Sequence, residues 1–375
     1  LPLEWRIVAE KHGIKVSKLC TCIIWNGFVV MVWGYGVLSV LRRTADSLRK
    51  VIIGAAALPD RYVYFDGLAS GQLPQSSKDG ISYDIISWYL KFPGRITNLD
   101  ACCHGVQSVE QFSEKLTHVV PFSSPIPPLK DFRKILNFIF WGIYSSVYAF
   151  ASLLLGKWYN TILFSEAVKA KQVRLSDPPQ LAKEFLFNQS RLYRPLWTYE
   201  AEKLGSKISF YFYSTNCESF KRPNGYPIQA NTWQVLNWPN YLVWDDYQAE
   251  FIQRAVGTKK NTKVVGPIWY HSSPTELPEL PPKSISVFDV QPHRDSSYQG
   301  LGAAQEYFVP RIANSFLLDI AEVVEKLNGV IVLKRKRHIG RFLHKSFRAT
   351  FQKLTKQENV IDIEPDTAAI KVIER

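Results

Sequence analysis

"YLVWDDYQAEFIQRAVGTKKNTKVVGPI", Tyr241 to Ile268, decides the fold class of this 375-residue chain. Tyr241 to Trp244 is a short apolar strand. Asp245 or Asp246 then caps the helix "YQAEFIQRAVG", because a carboxylate at the start of a helix accepts the unpaired first-turn N–H groups. Gly257 closes that helix, as the left-handed conformation past a helix end suits glycine. "TKVVGPI" follows as the next strand. Strand, helix and strand at this spacing make a β-α-β unit, and such units build parallel sheets.

The pattern extends in both directions. Upstream, Pro195 sits in the first turn of the helix "PLWTYEAEKLG", Gly205 stops it, and "KISFYFYST" reads as a buried strand. Downstream, "SSPTELPELPPK" (Ser272–Lys283) holds four prolines and reads as a linker. Beyond it "ISVFDV" is a strand reaching Asp289. "NSFLLDIAEVVEKLNG" places Phe316, Leu317, Ile320, Val323, Val324 and Leu327 on one helical face. "VIVL" returns as a strand after Gly329, "NVIDIEP" is another, and Asp366 caps "TAAIKVIER". The expected fold is α/β with two Rossmann-like doubly wound domains, the second incomplete. Four segments follow from this reading: 1–57 with an apolar helix, 58–271 as a first domain containing a second apolar helix at 135–156, 272–283 as linker, and 284–375 as a partial second domain. The chain starts at Leu1 and stops at Arg375 inside a helical pattern, so a fragment lacking residues at both ends is expected.

Two runs are free of charge: Leu19 to Leu41, 23 residues, and Ile135 to Gly156, 22 residues. Each reaches the length of about 20 apolar residues that a bilayer core requires. Lys15, Lys18, Arg42 and Arg43 flank the first; Arg133, Lys134 and Lys157 flank the second. Basic residues at both ends give no orientation. Asn26, Gly27, Gly34 and Gly36 weaken the first run as a spanning helix, so spanning and lying in or on the membrane both stand, beside the plainer reading of buried core helices. Membrane association is the expectation common to the first two.

Lys and Arg outnumber Asp and Glu by 46 to 33, and the excess is shared, +9 in residues 1–280 and +4 in 281–375. A distributed positive balance favours anionic partners: nucleic acid, acidic lipid or phosphorylated small molecules. The basic residues form no long stripe with aromatics between them, so no nucleic-acid partner is expected. Cys20, Cys22, Cys102, Cys103 and Cys217 make no CxxC pair and a poor disulfide framework, which suits a reducing compartment. Ser-His-Asp order, zinc spacing, a Walker A loop and an Asp-x-Asp metal motif in strand context are all missing, so no metal and no cofactor are expected. "GLGAAQ" at Gly300 lacks the third glycine and the preceding strand of a dinucleotide fingerprint.

Positive charge is densest just past a core strand. From Ile331 to Gln357 there are nine Lys or Arg and no acid. Ligands of open α/β sheets bind outside the carboxyl ends of the strands, where Lys334, Arg335, Lys336 and Arg337 would meet an anion. Strand alternation sends Lys334 and Lys336 to one side and Arg335 and Arg337 to the other. A solvated basic patch or a lipid contact is the plain alternative. Asp289, His293 and Arg294 in "FDVQPHR" follow another strand, where Arg294 suits a phosphate and His293 a proton transfer; loop hydrogen bonding is the alternative there. Asp245, Asp246 and Glu218 are the carboxylates placed to deprotonate an acceptor hydroxyl, against simple capping for the first two. Ser214, Thr215 and Asn216 end a strand and suit hydrogen bonds to sugar hydroxyls. Trp197, Trp233, Trp238 and Trp244 are either stacking platforms or core.

Two doubly wound domains joined by a short proline-rich linker describe the GT-B architecture of glycosyltransferases. With "YRPLWTYEAEKLGSKISFYFYSTN", "NWPNYLVWDDYQAEFIQRAVG", "VVGPIWY", "VFDVQPHRDSSYQGLGAAQEYFVP" and "LKRKRHIGRFLH", the chain resembles the bacterial polysaccharide biosynthesis PFTS motif proteins, which are glycosyltransferase-like. "RYVYFDGL" and "SYDIISWYL" extend the resemblance toward the front. The Pro-Phe-Thr-Ser motif itself is not in the sequence and is expected shortly beyond Arg375. The resemblance implies transfer of a sugar from a nucleotide-sugar donor to a lipid-linked or growing glycan, at the cytoplasmic face of the bacterial inner membrane. A rival of another class is a non-catalytic membrane scaffold that binds polysaccharide or lipid.

Overall fold

Short runs of aromatic and β-branched residues supply the strands of two separate parallel sheets. The larger has β1 (Tyr62–Asp66), β2 (Ala101–His104), β3 (Val119–Pro121), β4 (Glu184–Asn188), β5 (Lys207–Tyr211), β6 (Asn240–Val243) and β7 (Asn261–Val264), in the spatial order β3-β2-β1-β4-β5-β6-β7. The smaller has β8 (Ser284–Phe288), β9 (Val330–Lys334) and β10 (Val360–Ile363), ordered β10-β9-β8. Every pairing in both is parallel. The computed structural model describes residues 3–15, 17–54, 59–68, 73–74, 84–106, 119–214, 221, 223–226, 231–257, 261–268, 277, 279–289, 292, 309–336, 340, 343–365, 367 and 372–373.

The helices are α1 (Leu3–Lys11), α2 (Lys18–Ile53), α3 (Ile85–Lys91), α4 (Phe132–Leu154), α5 (Tyr159–Leu175), α6 (Trp197–Lys203), α7 (Asn231–Gln234), α8 (Asp246–Val256), α9 (Pro310–Lys326) and α10 (Lys345–Leu354). The chain divides into two compact units. Leu1–Leu68, Pro93–Val109 and Lys115–Pro267 make the first; Ala69–Phe92, Glu110–Glu114 and Ile268–Arg375 make the second.

In the first unit the β-α-β reading of Tyr241–Ile268 is realised as β6, α8 and β7. Asp245 is the N-cap, accepting from the Gln248 N–H at 2.8 Å, and Gly257 ends α8 at φ 68°. Around Trp238, fully buried, pack Phe187 at 4.7 Å and Phe210 at 5.4 Å between ring centres. Aromatic pairs at such spacings add roughly 0.5–1.5 kcal/mol each beyond their burial. Sheet order reverses between β1 and β4: the chain adds β2 and β3 on one side of β1, then crosses to the other through α4 and α5.

Both uncharged runs are helical. α2 runs unbroken through Asn26, Gly27, Gly34 and Gly36. The Trp33 indole N–H donates to the Ser146 carbonyl at 3.0 Å, and the Leu129 N–H donates to Ser47 Oγ at 3.1 Å, so α2 and α4 are antiparallel. Arg43 reaches Gln172 at 2.6 Å, which sets α5 alongside α2 in the same direction. Gly36 lies so close to Phe164, and Gly142 to Val40, that a methyl group at either would collide with its neighbour. Of the glycines that weakened α2 as a spanning helix, Gly36 is thus a helix contact, while Gly27 and Gly34 face open space. Both α2 and α4 are long and apolar enough to cross a membrane, and only 17% and 28% of their most apolar windows are buried. Their remaining apolar surface faces outward.

In the second unit α9 departs from its expected face. Ala313, Leu317, Ala321 and Val324 are buried, while Phe316, Val323 and Leu327 are 49%, 55% and 64% exposed. The two alanines let the helix approach its core neighbours closely, and the larger apolar residues flank that seam. The proline-rich stretch is not bare either, because Leu277 and Leu280 pack against Val332, Ile363 and Val372. The Asp366 cap and most of "TAAIKVIER" lie outside the described residues.

Candidate functional site

Because the larger sheet is wholly parallel, one edge collects the carboxyl ends of all its strands, and the side chains that follow them share that edge. Asp66 ends β1 and Asn188 ends β4, the two strands between which the order reverses. Such a reversal leaves a crevice, the usual ligand position in open α/β sheets. Arg191 closes onto Asp66 with Nη2 2.8 Å from Oδ2. The Asn188 side-chain amide donates to the Gly67 carbonyl at 3.3 Å and its oxygen accepts from the Ser190 N–H at 2.9 Å.

A cavity of about 180 Å³ opens here, lined by Arg43, Asp66, Glu166, Lys169, Arg191 and Trp197 among others. Glu166 gives one oxygen to Lys169 at 2.5 Å; its other oxygen is buried without a hydrogen-bond partner among the described residues. An adjoining cavity of about 510 Å³ is lined by Tyr35, Leu38, Arg42, Arg43, Asp46 and the Phe122–Ile126 loop among others. Arg43, Pro125, Ile126 and Lys169 belong to both, so the two form one basin.

Of the expected acceptor and base residues, Ser214 and Asp245 stand on this same sheet edge. Gln189 accepts from the Tyr213 and Ser214 N–H groups at 3.2 Å and donates to Ser214 Oγ at 2.8 Å, while Gln248 donates to the Ser214 carbonyl at 3.1 Å. Ser214 therefore joins the ends of β4, β5 and β6 in one hydrogen-bond network. Asp245 serves as the α8 cap, and Asp246 is exposed in the first turn of α8. Thr215, Asn216 and Glu218 lie outside the described residues. Trp197 and Trp238 are core residues, and Trp233 and Trp244 pack against that core; Trp197 also borders the smaller cavity. Glu200 is held by Arg174 at 2.9 Å and Lys203 at 3.1 Å, and the Arg174 hydrogen bond keeps its carboxyl below the usual range.

The second unit gathers its expected residues at the ends of β8 and β9. Asp289 Oδ1 accepts from the Lys336 backbone N–H at 2.6 Å, and the Asp289 N–H donates to the Lys334 carbonyl at 3.1 Å. Lys334 and Arg335 do not point to opposite sides in the open. β9 ends at Lys334, and both side chains are buried by local partners. Lys334 Nζ donates to the carbonyls of Arg335 at 2.6 Å and Pro365 at 2.8 Å. Arg335 pairs with Asp362 at 2.8 Å and Glu364 at 3.1 Å. Lys336 is exposed, whereas Arg337, His293 and Arg294 lie outside the described residues. An apolar slot of about 220 Å³ beside Asp289 is lined by Phe288, Ile312, Phe316 and Phe347 among others. No group of three metal-ligating side chains occurs among the described residues.

Sequence reasoning passed over Asp66, Arg191, Glu166 and Lys169. A signal for Asp66 was present: "YVYFD" ends an apolar run with Asp, as "YLVWD" and "SVFD" do. Nothing local joins Asp66 to Arg191, which is 125 positions away.

No curated protein matches the chain. A family model does, over residues 140–375, which takes in α5, β4 to β10 and most of α4, and leaves "RYVYFDGL" and "SYDIISWYL" outside the matched span. That match covers more than half of the chain, and with it the chain belongs to the polysaccharide biosynthesis PFTS motif protein family.

Proposed function

We propose that this protein is a membrane-associated glycosyltransferase of GT-B type that works in polysaccharide biosynthesis. It transfers a sugar from a nucleotide-sugar donor to a lipid-linked or growing glycan at the cytoplasmic face of the bacterial inner membrane. The observation that carries this reading is the pair of parallel α/β sheets in one chain, each with charged and polar side chains at its carboxyl edge. The domain from 284 onward takes the donor. Asp289, Lys336 and Arg337, with Arg294 and His293, meet its diphosphate and leaving group, and the apolar slot beside Asp289 suits a nucleobase. Lys334 and Arg335 act from behind, by fixing the ends of β9 and β10. The domain from 58 to 271 takes the acceptor, with Ser214, Thr215 and Asn216 on sugar hydroxyls and Asp245, Asp246 or Glu218 as base. Residues 272–283 join the two. Catalysis comes from positioning and from charge stabilisation of the departing diphosphate.

The test is a thermal-shift panel on the detergent-solubilised full-length protein with UDP, GDP, CMP and TDP, run beside Lys336→Ala and Arg337→Ala. One nucleotide raising the melting temperature, with the gain lost in either variant, is expected and names the donor class. No shift from any nucleotide on folded protein turns the assignment to the non-catalytic scaffold.

A further inference from the structure

We propose that the basin at the reversal point of the first unit binds the phosphate head of a lipid, with the hydrocarbon chain lying along one face of α2. This deepens the acceptor half of the proposed function by naming the chemical class held there.

Four cations line the basin, Arg42, Arg43, Lys169 and Arg191, with three carboxylates, Asp46, Asp66 and Glu166. Arg191 is matched by Asp66 at 2.8 Å and Lys169 by Glu166 at 2.5 Å. Arg43 spends its hydrogen bond on the neutral amide of Gln172 at 2.6 Å. Arg42 makes no ion pair among the described residues and is exposed. Two guanidinium groups against the single carboxylate of Asp46 are therefore left to meet a ligand, and planar guanidinium forks suit phosphate oxygens. Ser39, Ser123 and Ser124 line the same cavity.

The apolar half is a stripe on α2. Ile24, Phe28, Met31, Tyr35 and Leu38 recur every three or four residues, the spacing of one helical face, and Arg42 is the next position in that series. All five are exposed, at 72%, 44%, 65%, 61% and 59%. Tyr35 and Leu38 also line the larger cavity, so the stripe runs directly into the basin. From Ile24 to Arg42 it extends about 27 Å at 1.5 Å per residue, enough for a long acyl or isoprenoid chain. A soluble phosphate ligand would gain nothing from this stripe. An uncharged lipid would leave Arg42 and Arg43 unused. A lipid with one or two phosphates engages both.

The full chain is placed in phosphatidylcholine nanodiscs and titrated with farnesyl diphosphate, farnesol and inorganic pyrophosphate, followed by native mass spectrometry. Phosphatidylglycerol-doped discs distinguish a bulk acidic lipid from an isoprenoid diphosphate as the source of the phosphate. Farnesyl diphosphate is expected to bind at least tenfold more tightly than the other two. Arg42→Gln should reduce that binding at least tenfold, with Arg49→Gln, on the same helix outside the basin, as control. Leu38→Gln should weaken farnesyl diphosphate and leave pyrophosphate unchanged. If phosphatidylglycerol competes equally, the site takes membrane phospholipid heads, and the phosphate-lipid assignment holds with that source. Pyrophosphate binding as tightly as farnesyl diphosphate overturns the lipid assignment, as does binding that Arg42→Gln leaves unaltered. Nucleotide shifts are read separately, so a failed transferase reading and a failed lipid site give different patterns.

Discussion

His104 ends β2 with no exposed surface, and Nδ1 accepts the Val106 N–H at 3.2 Å. Burial lowers its pKa to about 4 from an ordinary 6.5, so the folded protein refuses a proton that the unfolded chain accepts between those values. Stability from this residue is complete above pH 6.5 and is lost as pH falls toward 4. The loss is at most about 3 kcal/mol. His104→Gln should flatten the urea-unfolding midpoint across that window, and an unchanged slope would remove His104 as its cause. A second contrast lies in the basic cluster. Arg335 is buried between Asp362 and Glu364, whose side chains are 30% and 64% exposed, so solvent screens much of the pairing. Arg335→Ala should cost about 1–2 kcal/mol of stability in denaturant titration, and Lys336→Ala less than about 0.5 kcal/mol, as is usual at exposed positions. Equal losses would mean that the cluster is not divided into a supporting and an outward-facing part.

At the scale of elements, α2, α4 and α5 are held together by small residues at close contacts. Gly142 packs on Val40 and Gly36 on Phe164, so Gly142→Leu should cost about 1–3 kcal/mol by overpacking. Thermal unfolding in detergent would report it, and an unchanged transition would show that the three helices separate freely. The same elements explain what was legible beforehand. α8 was readable because Asp245 and Gly257 mark both of its ends within one local stretch. β1 to β4 were not recognised as strands: "ACCH" and "VVP" are too short to show a period. On α9, "FLLDIAEVVEKL" is apolar on two adjoining faces, and only packing selects the one carrying Ala313 and Ala321. The basin was illegible for a different reason, since its members come from α2, α5, β1 and the loops after β3 and β4.

At the scale of the whole molecule, α4 and α5 connect β3 to β4, two parallel strands of one sheet, so both ends of this helical pair lie on the sheet's side. Were α4 to cross a bilayer completely, α5 would have to cross back carrying Glu166, Lys169, Lys171 and Arg174, each costly in hydrocarbon. In a membrane, the pair would therefore enter and leave by the same face. A cysteine at Lys157, in the turn between them, should label from the side on which the sheet lies, with α2 mapped separately by a tag before Leu3. Labelling of Lys157→Cys only from the opposite side would contradict this topology. The connection also bears on how the protein is made. Gly67 and Asn188, bonded across the reversal, are 121 positions apart, and contacts this distant in sequence form late. Until β4 is in place, a nascent chain carries β1 with one edge unpaired, an open template for aggregation. Delivery of the growing polypeptide to the lipid surface before β4 leaves the ribosome would shelter that edge, making the order of synthesis itself a safeguard against misassembly.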